Sequence, residues 1–153
     1  MIKELEQLID LDHEGELSSL KPASDSDVVT IAALYPGISK RYLEFIREVG
    51  TGSTTRGFNI YEPEPARLIE QHSSFQIYQS DFHRKLFGRR PDGDVIPADA
   101  ITIADTGASW RYCLCPSFGE AVFCLDMAGP TFETVSESFL SFVADTVLLN
   151  GLK

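Results

Sequence analysis

The sequence predicts an α+β fold, a single domain in which helices pack on a mixed, largely antiparallel sheet. Three observations predict it. Apolar residues recur at helical spacing within residues 2–49 and again within 139–147, whereas residues 101–125 hold short alternating runs separated by turn residues. The chain has 153 residues, 43% apolar and 24% charged, enough for one continuous core over residues 1–153. No internal repeat, low-complexity tract or linker divides it.

The elements follow in order. Ile2, Leu5, Leu8 and Ile9 form one stripe of a short helix, with Lys3, Glu4, Glu6 and Gln7 turned outward. Residues 10–22 read as loop. Ser24, three residues before Asp27, opens a second helix that runs to about Leu34 and is stopped by Pro36 and Gly37. Ser39 caps a third helix whose stripe is Tyr42, Leu43, Ile46 and Val49, and Gly50 supplies its left-handed end. Residues 58–61 form a strand that ends at the proline-bracketed Glu62-Pro63-Glu64-Pro65. Over residues 66–87, Leu68, Ile69, Phe75, Tyr78, Phe82 and Leu86 fit one long helix or two shorter ones.

The second half is mostly strand. Residues 101–104 alternate, 105–108 turn, and 111–115 pair with 121–125 as a hairpin. A capping box at Thr134 and Glu137 opens a final helix that buries Phe139, Phe142, Val143 and Val147 and ends at Asn150-Gly151.

Charge is distributed unevenly. The formal net charge is -10, with eight acids and two bases in residues 1–27, ten of each in 28–119, and five acids and one base in 120–153. Such a chain repels nucleic acid, whose recognition requires lysine and arginine against phosphate, and attracts basic proteins. The cluster His83, Arg84, Lys85, Arg89 and Arg90 is either an anion patch or a set of cations at a helix C-terminus, and the overall acidity favours the second reading. No apolar run approaches the ~20 residues that cross a bilayer. The acidic N-terminus lacks the pattern of a secretory signal, so a cytoplasmic location is expected, with no membrane partner and reduced thiols.

The three cysteines, Cys113, Cys115 and Cys124, invite a metal or redox reading. If Cys115 opposes Ala121, then Cys113 opposes Phe123 and Cys124 opposes Tyr112. Strand alternation then places Cys113 and Cys115 on one face and Cys124 on the other. Without a Cys-x-x-Cys pair or a nearby histidine, with His72 and His83 in the helical region, the thiols read as small apolar strand residues and no metal or cofactor is expected. Asp92, Asp94, Asp99 and Asp105 would offer paired carboxylates for acid-base work, but aspartates beside glycine and proline are ordinarily turn formers. No phosphate-binding glycine loop, His-Glu-x-x-His or nucleophile elbow is present, and no catalytic residue is assigned.

Three blocks carry a family resemblance. The run from Leu34-Tyr-Pro-Gly through Tyr42-Leu-Glu-Phe to Val49-Gly50, the hairpin ITIADTGASWRYCLCPSFGEAVFCLD, and the closing SESFLSFVADTV are similar, in this order, to the conserved blocks of the SUKH superfamily. That superfamily comprises bacterial immunity proteins and the yeast cell-wall-assembly regulators of the Smi/Knr type. The resemblance covers about residues 24–148. Two loops depart from it, at Val49-Gly50-Thr51-Gly52 and at Gly107-Ala108-Ser109-Trp110, where relatives carry glycine-richer turns. It implies a non-enzymatic protein that binds and neutralises a cognate toxin, often a nuclease; the alternative it implies is a regulatory or scaffold module of the cell-wall-regulator type.

Candidate contacts come from turns and loops. Trp110, the only tryptophan, is either an interface anchor or a core aromatic. Glu62 and Glu64 sit in a proline-stiffened segment, Asp105 in the turn before Trp110, and Asp10, Asp12, Glu14 and Glu16 form an acidic loop suited to long-range attraction.

Overall fold

A helix that begins without a capping side chain relies on its apolar face. This is the case for α1, Lys3–Leu11, which follows an extended Ile2 and buries Leu5 and Leu8 completely. The next two helices are capped as their sequences predict. Ser24 accepts from the Asp27 N–H at 3.1 Å to open α2, Asp25–Leu34, and Ser39 accepts from the Tyr42 N–H at 3.1 Å to open α3, Lys40–Glu48. These elements belong to a computed structural model that describes residues 1–66, 96–126 and 131–150. The helical reading of residues 66–87, the basic cluster at 83–90, Asp92, Asp94 and the end of the last helix at Gly151 lie, apart from Ala66, outside the described residues.

The sheet has six strands in sequence order: β1 Gly52–Ser53, β2 Asn59–Pro65, β3 Ile101–Asp105, β4 Trp110–Leu114, β5 Val122–Asp126 and β6 Thr131–Ser136. Every neighbouring pair is antiparallel, so the expected mixed sheet has no parallel pair among the described residues. The hairpin has the register that follows from setting Cys115 opposite Ala121, with Cys113 opposite Phe123 and Tyr112 opposite Cys124.

Two elements differ from expectation. Thr134 lies within β6 rather than capping a helix, and the cap is Ser138, whose Oγ accepts from the Ser141 N–H at 3.2 Å. The segment TFETVS is rich in β-branched residues, and its pairing with β5 outweighs the local capping pattern. The final helix, α4 at Phe139–Phe142, widens into a π-helical turn at Val143–Val147. The second difference is β2, which continues through Pro63 to Pro65. Its outer neighbour β1 pairs only with Asn59 and Ile60, so the prolines displace no ladder hydrogen bond on that side.

Among the described residues the four helices cover one face of the sheet and share one core. Phe139 lies edge-on to Tyr42 and Phe45, with centroids 5.1 and 5.2 Å away, and Phe142 reaches Tyr112 of β4 at 4.7 Å. The Tyr42 hydroxyl donates to the Tyr61 carbonyl at 2.7 Å, fastening α3 to β2. At its N-terminus α3 is held from the far side of the chain, because Glu120 accepts from both the Ser39 hydroxyl and the Lys40 N–H. The opposite face is smaller and holds Ala66, Ile96, Ala100, Cys113, Cys115 and Leu125, with Phe123 and Phe132 packed against them.

Where α3 ends, Gly50 has φ +121°, and a Cβ there would lie 2.2 Å from the Lys21 backbone. The chain pairs at this point, Lys21 and Thr51 exchanging two backbone hydrogen bonds. Gly50→Ala is therefore expected to lower unfolding free energy by about 3 kcal/mol or more in urea titration, from backbone strain and clash together. Phe139→Ala is expected to cost about 3–5 kcal/mol by the same measurement, through the cavity it leaves in the shared core.

Candidate partner-binding surface

An acidic side chain is available to a partner only if the fold does not already use it. By that criterion the eight predicted contacts divide into two groups. Asp12 accepts from the Glu16 N–H at 2.7 Å and the Leu17 N–H at 2.9 Å, one bond to each carboxylate oxygen, and so caps the 3-10 turn Glu16–Ser19. Glu16 is buried, with Arg56 Nε 2.6 Å away, and Arg56 also donates to the Val147 carbonyl at 2.9 Å. The hydrogen bond that Arg56 donates to Glu16 is the largest influence on the Arg56 pKa and raises it. Asp105 accepts from Asn59 Nδ2 at 3.1 Å and the Gly107 N–H at 3.0 Å, and Arg111 lies 3.6 Å from its other oxygen. These three carboxylates hold loops together, and their role is internal.

The other five are displayed. Asp10 and Glu14 are exposed at the end of α1 and in the loop after it. Together with Asp12, His13, Arg56 and Asn150 the loop forms the rim of a polar recess of about 320 Å³. Glu62 and Glu64 are also exposed, but they do not act as one pair. The irregular register of β2 sets Ile60 opposite core residue Ala104 and Glu64 opposite Thr102, so three β2 residues face the single residue Ile103 and the strand turns over between them. Glu62 lies on the Tyr42 side, where after burial it is the next cause of that hydroxyl's raised pKa.

Trp110 is 37% exposed at the first position of β4. Strand alternation places it on the helix-covered face with Tyr112, and its side chain lies against the Tyr112 hydroxyl. Tyr112 in turn stacks on Phe58 at 5.7 Å. The tryptophan is thus the outer end of the core's aromatic chain, with one edge buried and one edge open.

Sequence reasoning missed two surfaces. On the face opposite the helices, Phe123 stacks on Phe132 at 5.0 Å and meets the 60% exposed Phe118 at 5.9 Å. The alternation of β5 could have indicated this, but the partner strand β6 was read as the start of a helix. The second is an apolar recess of about 450 Å³ between Leu34, Tyr35, Pro36, Pro65 and Pro116, with Asp99 at its wall. Burial acts to raise the Asp99 pKa, but bonds from Ser117, including its N–H at 2.7 Å, outweigh it and hold the carboxyl below its ordinary range. Asp99 is a turn-holding aspartate of the kind its proline context predicts.

The thiols are structural in geometry. Cys113 and Cys115 are buried on one face and Cys124 is half-buried on the other, as the register requires. Among the described residues no group of three or more histidine, cysteine or carboxylate side chains could hold a metal ion. No family model, curated protein or solved structure matches the chain.

Two predictions arise from this site. Removing the Arg56 guanidinium leaves the buried Glu16 carboxylate without its partner, so Arg56→Ala is expected to lower the midpoint of thermal or urea unfolding at neutral pH. Burial pushes the Cys115 thiol up to about 12 and raises the other two. A raised thiol pKa stabilises the fold fully below the unfolded value of 9.0, and that contribution is lost as pH rises towards about 12. Cys113 and Cys115 are therefore expected to resist a disulfide reagent at pH 8 until the chain is unfolded, and alkaline titration is expected to destabilise it from about pH 9 upward.

Proposed function

We propose that the chain is an immunity protein of the SUKH type that binds a cognate basic toxin, with a nuclease as the expected class, and neutralises it in the bacterial cytoplasm. The observation that carries this reading is the division among its carboxylates: Asp12, Glu16 and Asp105 are consumed by the fold, while Asp10, Glu14, Glu62 and Glu64 stand exposed, as does part of the Trp110 side chain. Exposed acids that contribute nothing to internal pairing raise the encounter rate with a basic partner and occupy positions a phosphate backbone would take. An amphipathic indole at the margin supplies the anchor such an interface needs. The order of the three SUKH-like blocks supports the same reading.

The test is whether a toxin is encoded beside the chain's own gene and, with that toxin, co-expression. Growth is expected to be rescued and the two proteins to co-purify, and failure of both would remove the reading. Converting Asp10, Glu14, Glu62 and Glu64 together to lysine is expected to weaken binding by about tenfold or more while leaving the melting temperature within a few degrees, because all four side chains are exposed and none caps a turn or forms a salt bridge among the described residues.

A further inference from the structure

The two edges of the sheet are built differently. At the first edge β1 is two residues long, its Ser53 carbonyl accepts from the Ser19 hydroxyl at 2.6 Å, and the Lys21–Thr51 bridge extends beside it. The stretch of β2 that β1 leaves uncovered carries Pro63 and Pro65. A short strand, a capping hydroxyl and prolines are the usual means by which an edge is closed to further pairing.

None of them occurs at the other edge. β6 is six residues long, contains neither proline nor lysine, and pairs with β5 along its inner side from Thr131 to Ser136. Among the described residues its backbone has no partner beyond β5. Alternate N–H and C=O groups on its outer side are thus unpaired among the described residues. Its one irregularity, at Val135, comes after a regular stretch from Thr131 to Thr134. Thr131, Glu133, Thr134 and Val135 are all exposed.

The side chains specify what this edge accepts. Phe132 and Thr134 lie on the outer face, where Phe132 continues the stacked Phe123 and the exposed Phe118. Glu133 lies on the opposite face, and Glu137 follows just past the strand. A second copy of the chain fits poorly, because pairing two β6 edges would bring together two molecules of net charge -10, each with Glu133 on the strand and Glu137 just past it. A strand with a cation opposite Glu133 and an apolar residue beside Phe132 meets both requirements.

We propose that β6 is a strand-addition edge that takes an extended segment of a basic partner protein, with lysine or arginine opposing Glu133 on one face and an apolar side chain covering Phe132 on the other. Backbone bonds along Thr131–Thr134 hold the segment, and the alternation of basic and apolar residues selects it. This inference rests on the reading of the chain as a binder of a basic protein, and it locates the contact on a surface separate from the acidic loop.

The test uses the full chain and a capped peptide, Lys-Val-Lys-Phe-Lys-Val, at millimolar concentration. Amide exchange across β6 is expected to slow about tenfold on adding it. The same peptide N-methylated at every second amide is expected to give no protection, and Glu133→Lys, at an exposed position, is expected to reverse the preference towards a peptide with glutamate in place of lysine. Absent protection, or protection elsewhere than β6, would overturn the proposal. Protection of β6 that grows with protein concentration in the free chain would assign the edge to a second copy and overturn it equally. The two readings separate in co-expression: rescue unaffected by Glu133→Lys with no protection of β6 by the toxin sinks the strand-addition inference alone, whereas peptide binding without rescue sinks the immunity reading alone.

Discussion

Phe139 carries the architecture. Its ring is completely buried between Tyr42 and Phe45, edge-on to both, and it begins the helix that spans back over the sheet. From it the aromatic contacts run through Phe142 to Tyr112 and Phe58, so a single cluster joins α3, α4, β4 and the segment before β2. Rings in edge-to-face contact combine large burial with a preferred geometry, which fixes the angle between layers as well as their distance. Trp110 owes its half-open position to this arrangement, since it begins the strand whose third residue, Tyr112, is locked beneath Phe142.

Electrostatics then act on what packing leaves over. The acidic loop is not a uniform patch: Asp12 and Glu16 turn inward because the 3-10 turn needs a cap and because Arg56 reaches the Val147 carbonyl at the end of the last helix. Asp10 and Glu14, two positions away in either direction, have no such duty. Asp105 likewise ties β2, β3 and the following turn together through Asn59, Gly107 and Arg111. The exposed charge at Asp10, Glu14, Glu62 and Glu64 is thus what remains after the fold has used Asp12, Glu16 and Asp105.

The sequence was most legible where local rules and tertiary needs agree. Ser24 and Ser39 announced α2 and α3, and alternation in the 111–125 hairpin, with Cys115 set opposite Ala121, placed all three cysteines on their faces. It misled where two local signals compete. Thr134 and Glu137 fit a capping box, yet the β-branched run around Thr134 pairs with β5, and only the long-range ladder decides between them. Pro63 and Pro65 read as a strand stop, but proline is excluded from a strand only where its missing N–H has a partner to lose, and that depends on where β1 ends. The internal use of Asp12, Glu16 and Asp105 was illegible for a related reason: Arg56 lies forty residues from Glu16 and Asn59 forty-six from Asp105. The open edge at β6 was lost with the strand itself.

In the proposed function, exposed acids steer a basic partner onto a surface whose fold does not need them. The most direct test is the rate at which the chain associates with the basic toxin proposed as its partner, followed by stopped-flow fluorescence of Trp110 across a range of ionic strength. Screening between low and high salt shortens the reach of exposed charges, so the rate is predicted to fall by about tenfold or more while dissociation changes little. An association rate independent of salt would contradict the claim.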